Sequence, residues 1–241
     1  MKKIDELWPG GPRFDCGSGF RLSTDSVLLA DFAKTEHVHR CIDLGCGAGI
    51  LMTILAERSS NMRLCGIEIN PDWAELCREN IAENGFSDRC KVITGDLRDR
   101  SLLPAAGSID LAVSNPPYFS ENSGFSSPDP ERAAARDERS CTLSELCRTA
   151  AYLCRWGGSF VLVHRPERLS EIFCAMTAVQ IEPKRLRMVQ NRSESAPSLV
   201  LIEGRRGGKP GLVIQPPLIL CKPDGSESDE VQKIYHREAV R

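Results

Sequence analysis

One stretch restricts the fold of this chain more than any other. Cys41-Ile42-Asp43-Leu44 runs into Gly45-Cys46-Gly47-Ala48-Gly49 and on into Ile50 to Glu57. The first four residues read as a buried strand and the glycines as a tight loop. Ile50 to Glu57 reads as a helix with Leu51, Ile54 and Leu55 on one side. Strand, glycine loop and helix make the opening unit of a doubly wound α/β sheet. Small residues let the backbone approach a ligand closely, with the N–H groups of the helix facing it. A dinucleotide asks for G-x-G-x-x-G, but the position of its third glycine is taken by Ile50. The spacing here is G-x-G-x-G, with Asp43 two residues ahead of Gly45.

The rest of the chain repeats the unit. Arg63 to Ile69 reads as a second strand ending at Glu68. Asn70 caps the next helix, Pro71 takes its first position, and Gly85 stops it after about Asn84. Lys91 to Thr94, ending in Gly95-Asp96, is a third strand and Ile109 to Val113 a fourth. Leu143 to Arg155 is a helix ended by Gly157-Gly158. Ser159 to His164 is a fifth strand, and Glu167 to Ala178 a further helix. Arg185 to Val189 and Leu199 to Ile202 close the sheet as an antiparallel pair. Upstream, Trp8 to Pro12 is a turn, and Asp15 to Gly19, flanked by Phe14 and Phe20, is a small hairpin. Ser23-Thr24-Asp25 supply N-cap candidates for a helix that ends near Ala33, with Val27, Leu28, Leu29 and Phe32 on one face. The expectation is an α/β fold with a seven-stranded, mostly parallel sheet and one antiparallel strand.

At 241 residues, 41% of them hydrophobic, this is a single domain with a sizeable core. Residues 1–35 form its N-terminal hairpin and helix. Residues 36–204 form the core, with an insertion at 119–140, and 205–241 form a basic glycine loop and extension. Aromatics are only 6%, so the interior is aliphatic. Eleven scattered cysteines without a C-x-x-C pair read as reduced thiols in the cytoplasm, not disulfides or a metal site. No apolar run is long enough to span a membrane. The net charge of −2 announces no nucleic acid globally. Locally the picture differs: Pro183 to Lys222 holds eight bases against two acids, a segment of +6. The bland reading of that segment is a solvated basic face.

A second motif lies where the fourth strand ends. Asn115-Pro116-Pro117-Tyr118 cannot extend a strand ladder, because neither proline has an N–H to give. By itself such a step is a strand-ending turn. It also makes a stiff lip suited to a planar base with an exocyclic amine. Asn115 Oδ1 and the Pro116 carbonyl can each accept one amine hydrogen, and Tyr118 can stack on the ring.

The glycine spacing with its leading acid is the pattern of S-adenosylmethionine (SAM) methyltransferases, and with the Asn-Pro-Pro-Tyr lip it resembles the Rossmann-like enzymes that modify amino groups. More closely, the chain resembles the bacterial tRNA (adenine-N6)-methyltransferases that act beside the anticodon of valine tRNA. That resemblance runs through Ile4 to Leu7, Phe20 to Leu29, Ala135-Arg136-Asp137-Glu138, Pro183-Lys184-Arg185 and Glu203 to Gly211. Asp15 departs from it, standing where the family usually has a glutamine. The resemblance implies SAM as cofactor, with no metal. Asp43, Gly45, Cys46, Gly47, Gly49, Glu68, Asp96, Leu97, Asn115 and Thr24 are then its candidate contacts. Glu68 sits where an acid meets ribose hydroxyls, and Asp96 where one meets the adenine amine. The catalytic lip is Asn115, Pro116, Pro117 and Tyr118. The candidate RNA contacts are Arg136, Arg205, Arg206 and Lys209, the last three in an exposed glycine-rich loop.

An adenine amine is a poor nucleophile, because its lone pair is delocalised into the ring. Two acceptors holding both N–H bonds turn that lone pair toward the methyl donor, which is positioning and electrostatics rather than base catalysis. His164 is then structural. An anticodon-loop base is already partly unstacked and can enter such a site. The partner is tRNA, with no membrane and no obligate protein partner expected. Two other methyl acceptors compete. Enzymes that methylate a glutamine amide of release factors use a similar lip but carry a separate helical N-terminal domain. Enzymes that methylate guanine N2 in ribosomal RNA more often have Phe in place of Tyr. A non-catalytic RNA-binding protein on the same fold is the alternative of another class.

Overall fold

The computed structural model describes residues 4–15, 24–116 and 141–236. Strands β1 (Ile4–Glu6) and β2 (Arg13–Asp15) form an antiparallel ribbon across the Trp8 to Pro12 turn, one turn earlier than the expected hairpin. Phe20, the far end of that expected hairpin, lies outside the described residues. Phe14 is fully buried. Helix α1 (Thr24–Phe32) leads to β3 (Arg40–Leu44), α2 (Ile50–Arg58), β4 (Arg63–Glu68), α3 (Pro71–Glu83), β5 (Cys90–Thr94) and β6 (Ile109–Ser114). After residue 140 come α4 (Leu143–Leu153), β7 (Cys154–His164), a 3-10 turn at Pro166–Arg168 and α5 (Leu169–Ala178). The chain closes with β8 (Ile181–Gln190), β9 (Pro197–Arg206), β10 (Val213–Ile219) and α6 (Asp229–Ile234).

The main sheet has eight strands, ordered β10-β8-β9-β7-β6-β3-β4-β5, where seven were expected. β9 alone runs against the others: it pairs antiparallel with β7 and β8, and every other pairing is parallel. The added strand is β10. Pro216-Pro217 argue against a ladder, but β10 is an edge strand, where a missing N–H costs little, and its register slips between Gln215 and Leu218. Gly157-Gly158 do not end the helix either. α4 stops at Leu153 and β7 starts at once, carrying both glycines inside it. Gly157 holds φ +80°, and a Cβ on Gly158 would press on the Ile109 and Asp110 carbonyls at 3.1 Å. They mark a bulge against β6, where the register slips between Ile109 and Leu111.

Alternation along the central strands feeds two cores. Leu111 and Val113 of β6, with Val161 and Val163 of β7, face α1 and α2. Ala112, Phe160 and Leu162 face α4 and α5. Helices on both faces leave the carboxyl ends of β3 to β6 as the open edge, which is where a doubly wound sheet binds its ligands.

Candidate active site

Four strand ends converge here. β3 and β4 are neighbours, with Leu44 opposite Ile67, and β6 lies on the other flank of β3, with Val113 opposite Asp43. Gly45 N and Cys46 N donate to the Ile67 carbonyl at 2.9 and 3.1 Å, folding the glycine loop across the end of β4. Gly45, Gly47 and Gly49 all have positive φ, at 80°, 52° and 89°. Gly49 has a second constraint, since a Cβ there would meet Cys77 Sγ at 2.5 Å. Above Gly45, by contrast, a Cβ would meet nothing within 4 Å, so the loop's outer face opens onto the strand ends. Cys46 turns its thiol inward, 3.9 Å from Cys77 Sγ, so only its backbone belongs to the loop surface.

The acids divide the work. Glu68 is buried, and its oxygens accept from Gly47 N at 2.9 Å and Asn70 N at 2.8 Å. It braces the glycine loop against the start of α3. Asp43 lies under the loop, 2% exposed. Among the described residues its Oδ2 is the one buried side-chain oxygen or nitrogen without a hydrogen-bond partner. Burial, and then the charge of Glu68, push its carboxyl up to about 8. A buried carboxylate oxygen without a donor fits a cationic group such as the ammonium of SAM. That oxygen and the open face of the loop are the observations that fit the cofactor to these residues.

Asp96, after β5, is gripped by Arg98, whose Nε and Nη2 donate to both carboxylate oxygens at 2.6 to 3.0 Å. The Arg98 side chain holds its carboxyl below the usual range. Leu97 is half-buried, and its carbonyl accepts from Thr149 Oγ1 at 3.1 Å. Thr24 is exposed at the first position of α1.

Ser114 closes β6 with its hydroxyl on the Leu44 carbonyl at 2.7 Å, so the next residue starts beside the glycine loop. That residue is Asn115, half-buried with Pro116. Its Nδ2 donates to Ser26 Oγ at 3.0 Å. Ser26, on α1, is 6% exposed and escapes a reading of the sequence. The only signal for it is a hydroxyl one turn inside an apolar helix. Because the amino half of the amide faces Ser26, the acceptor half is set in a defined direction. Pro117, Tyr118 and Arg136 lie outside the described residues. His164 is buried, and its Nδ1 accepts from Arg165 N at 2.8 Å. Burial and then Arg168 lower its pKa to about 4, so it stays neutral near pH 7.

The remaining RNA candidates are elsewhere. Arg205 and Arg206 are not loop residues but the last pair of β9. Because β9 is antiparallel, they sit opposite Ser159, Ile181 and Glu182, at the amino-terminal edge of the sheet and away from the strand ends just described. Arg206 is half-buried, donating to the Val179 carbonyl. Arg205 and Lys209 are exposed.

Residues 17–127 match the Methyltransferase small domain family. A tRNA1(Val) (adenine(37)-N6)-methyltransferase of Porphyromonas gingivalis is 35% identical over 80% of this chain and 78% of its own length. One of the same name from Bacteroides thetaiotaomicron is 30% identical over 76% and 75%. Among solved structures, a predicted O-methyltransferase from Agrobacterium tumefaciens superposes with a TM-score of 0.72 at 21% identity, over 90% of this chain and 98% of that one. A geranyl diphosphate C-methyltransferase from Streptomyces coelicolor, solved with Mg2+, geranyl diphosphate and S-adenosyl-L-homocysteine, superposes at 0.54 and 14% identity, over 74% and 78%. These likenesses support the fold, a Rossmann-like methyltransferase sheet. With two thirds and more of its curated relatives covered at 30% identity or above, the chain belongs to the tRNA1(Val) (adenine(37)-N6)-methyltransferase family.

Proposed function

We propose that this protein methylates the exocyclic N6 amine of an adenine in a valine tRNA, as the names of its relatives say of them, and that this adenine lies in the anticodon loop. The observation that carries the reading is Asn115, fixed by Ser26 at the end of β6, one strand from a glycine loop whose buried acid lacks a donor.

SAM supplies an activated methyl on a sulfonium centre. Asp43 would take its ammonium, and the backbone from Gly45 to Gly49 would pass its amino-acid end. Glu68 would hold the loop in shape, while its remaining lone pairs face the ribose. The Asp96 and Leu97 corner would meet the adenine ring of the cofactor. Asn115 Oδ1 and the Pro116 carbonyl would each accept one hydrogen of the substrate amine, and Tyr118 would stack on the base. Holding both N–H bonds pulls the nitrogen toward tetrahedral geometry and aims its lone pair at the methyl group. No base has to act first, because the methylated amine is far more acidic, and a buried, neutral His164 suits that role-free position. The reaction belongs in the cytoplasm with its tRNA. No helix among the described residues is long and apolar enough to cross a membrane.

Nucleoside mass spectrometry of a valine tRNA transcript incubated with protein and SAM tests the reading. We expect N6-methyladenosine in the anticodon loop. Asn115→Ala should lower kcat on the order of a hundredfold, as for loss of one preorganised hydrogen-bond group, with little effect on SAM affinity. Methyl transfer to a release-factor glutamine or to guanine, and not to adenine, would displace it.

A further inference from the structure

Trp156 is the most exposed Trp, Tyr or Phe among the described residues. It stands near the start of β7, a strand whose second half is buried, and is 66% exposed. The bulge between β6 and β7 turns it outward, and the neighbouring Gly157 takes the left-handed conformation this needs. The indole is nevertheless held in place. Gly207 lies flat against it: a Cβ there would come within 2.1 Å of the ring. The Arg206 guanidinium sits 5.5 Å from its centroid, itself tied to the Val179 carbonyl. The expected loop arginine is therefore the support of an exposed aromatic plane. Around it, Arg205 and Lys209 are exposed and have no ion pair among the described residues. Lys184 reaches the same loop, donating to the Lys209 carbonyl at 3.1 Å.

A fixed, two-thirds-exposed indole framed by cations has the chemistry that binds an unpaired nucleotide: the ring stacks on the base, and the cations take its phosphates. Arg205 and Lys209, exposed and without an ion pair among the described residues, suit the closely spaced phosphates of a nucleic-acid strand. The indole's distance from the lip rules out the target adenine itself and points to a nucleotide several positions away. Ser114 lies opposite Leu162, six residues along β7 from Trp156. That is roughly 20 Å at about 3.3 Å per residue, or about six stacked nucleotides at 3.4 Å each. We propose that Trp156 is a stacking platform for an unpaired base of the tRNA that lies outside the loop carrying the target adenine, with Arg205 and Lys209 on the adjoining phosphates. The proposal rests on the reading of this protein as a tRNA methyltransferase.

The test compares wild type, Trp156→Ala and Trp156→Phe on two RNAs: a full-length valine tRNA transcript and its isolated anticodon stem-loop. Methylation gives KM and kcat, and fluorescence anisotropy gives Kd without catalysis. Trp156→Ala should raise KM and Kd for the full transcript about tenfold, the loss of one stacked base, with kcat unchanged. The stem-loop should show no change, and Trp156→Phe should behave nearly as wild type. Unchanged Kd for the full transcript would overturn the platform, as would an equal loss on both RNAs. Unchanged RNA affinity with an altered oligomeric state would make the corner a protein interface instead. If wild type bound the transcript but methylated no adenine, the reading of its function would fail, while the Kd comparison would still judge Trp156.

Discussion

The contact between Ser26 and Asn115 ties α1 to the end of β6 through a bond of 3.0 Å. Ser26→Ala removes the acceptor that orients the amide but leaves Asn115 in place. One hydrogen bond of this kind is worth about 0.5–1.5 kcal/mol, so kcat should fall roughly two- to tenfold, with SAM affinity unchanged and Thr at that position restoring most of it. Equal kcat in Ser26→Ala would mean that Asn115 is oriented by contacts other than Ser26. Asp43 carries a different signature. Its folded pKa is raised from 3.8 to about 8, so the folded protein binds a proton that the unfolded chain has released. Its contribution to stability therefore falls as pH rises between those two values. Chemical denaturation should be less favourable to the fold at pH 7.5 than at pH 5.5 by an amount that Asp43→Asn abolishes. If the ammonium of SAM docks there, the carboxyl ionises, and binding near pH 7 should release a proton. Calorimetry in buffers of different ionisation enthalpy reads that release. That Asp43, Glu68 and Asn115 lie at strand ends was legible in the sequence, because each apolar strand run gives way to a glycine loop, a capped helix or a proline pair. Ser26 was not, since nothing local distinguishes its hydroxyl from a helix-cap residue.

Among the elements, α1 depends on a buried ion pair for its seat. Arg185 of β8 donates through Nε to Glu203 of β9 at 2.8 Å. Its guanidinium lies 3.8 Å from the centre of the Phe32 ring and reaches the Phe32 carbonyl at the end of α1. Ser159 of β7 donates to the other Glu203 oxygen at 3.0 Å. Both side chains are largely buried, at 14% and 7% exposure, so removing one partner strands the other's charge. Glu203→Ala should lower unfolding free energy by about 3–5 kcal/mol in urea titration. Glu203→Gln, which keeps the acceptor, should cost less. A loss below about 1 kcal/mol would mean that solvent reaches Arg185 after all. The strand–loop–helix units could be read ahead because period, cap and glycine spacing are local signals, and Asn70 does cap α3 through Asp72 N and Trp73 N. The bulge in β7 and the edge strand β10 escaped, because their glycines and prolines act through neighbouring strands. Gly157-Gly158 look like a helix stop until β6 is laid beside them.

The charge of the whole molecule is arranged differently from its linear count. The segment from Pro183 to Lys222 holds eight bases, but three of them are already paired with acids. Arg185 pairs with Glu203, Arg187 with Glu230 and Lys222 with Asp229. Glu230 and Asp229 lie beyond the segment, on α6, so no window over the basic stretch could anticipate their pairing. Of the five that remain, Arg206 lies against Trp156 and Lys184 donates to the Lys209 carbonyl; Arg205 and Lys209 are exposed at the amino-terminal edge, and Arg192 is exposed in the turn after β8, at the carboxyl edge where the buried acids Asp43 and Glu68 lie. Arg205 and Lys209 thus lie at the sheet edge opposite the buried acids. Electrostatic attraction and methyl transfer then respond to different substitutions. The logarithm of tRNA affinity should fall linearly with the logarithm of salt concentration. Replacing Arg205 and Lys209 with Ala should flatten that line by roughly 0.7 to 0.9 for each phosphate no longer neutralised, and leave SAM binding intact. Arg187→Ala is the matched control: it removes the same kind of formal charge, but from a pair with Glu230 at 2.8 Å, so its line should run parallel to wild type. A flattened slope in Arg187→Ala, or an unchanged one in the double variant, would mean that RNA meets the protein along α6 and β8 rather than at the amino-terminal edge.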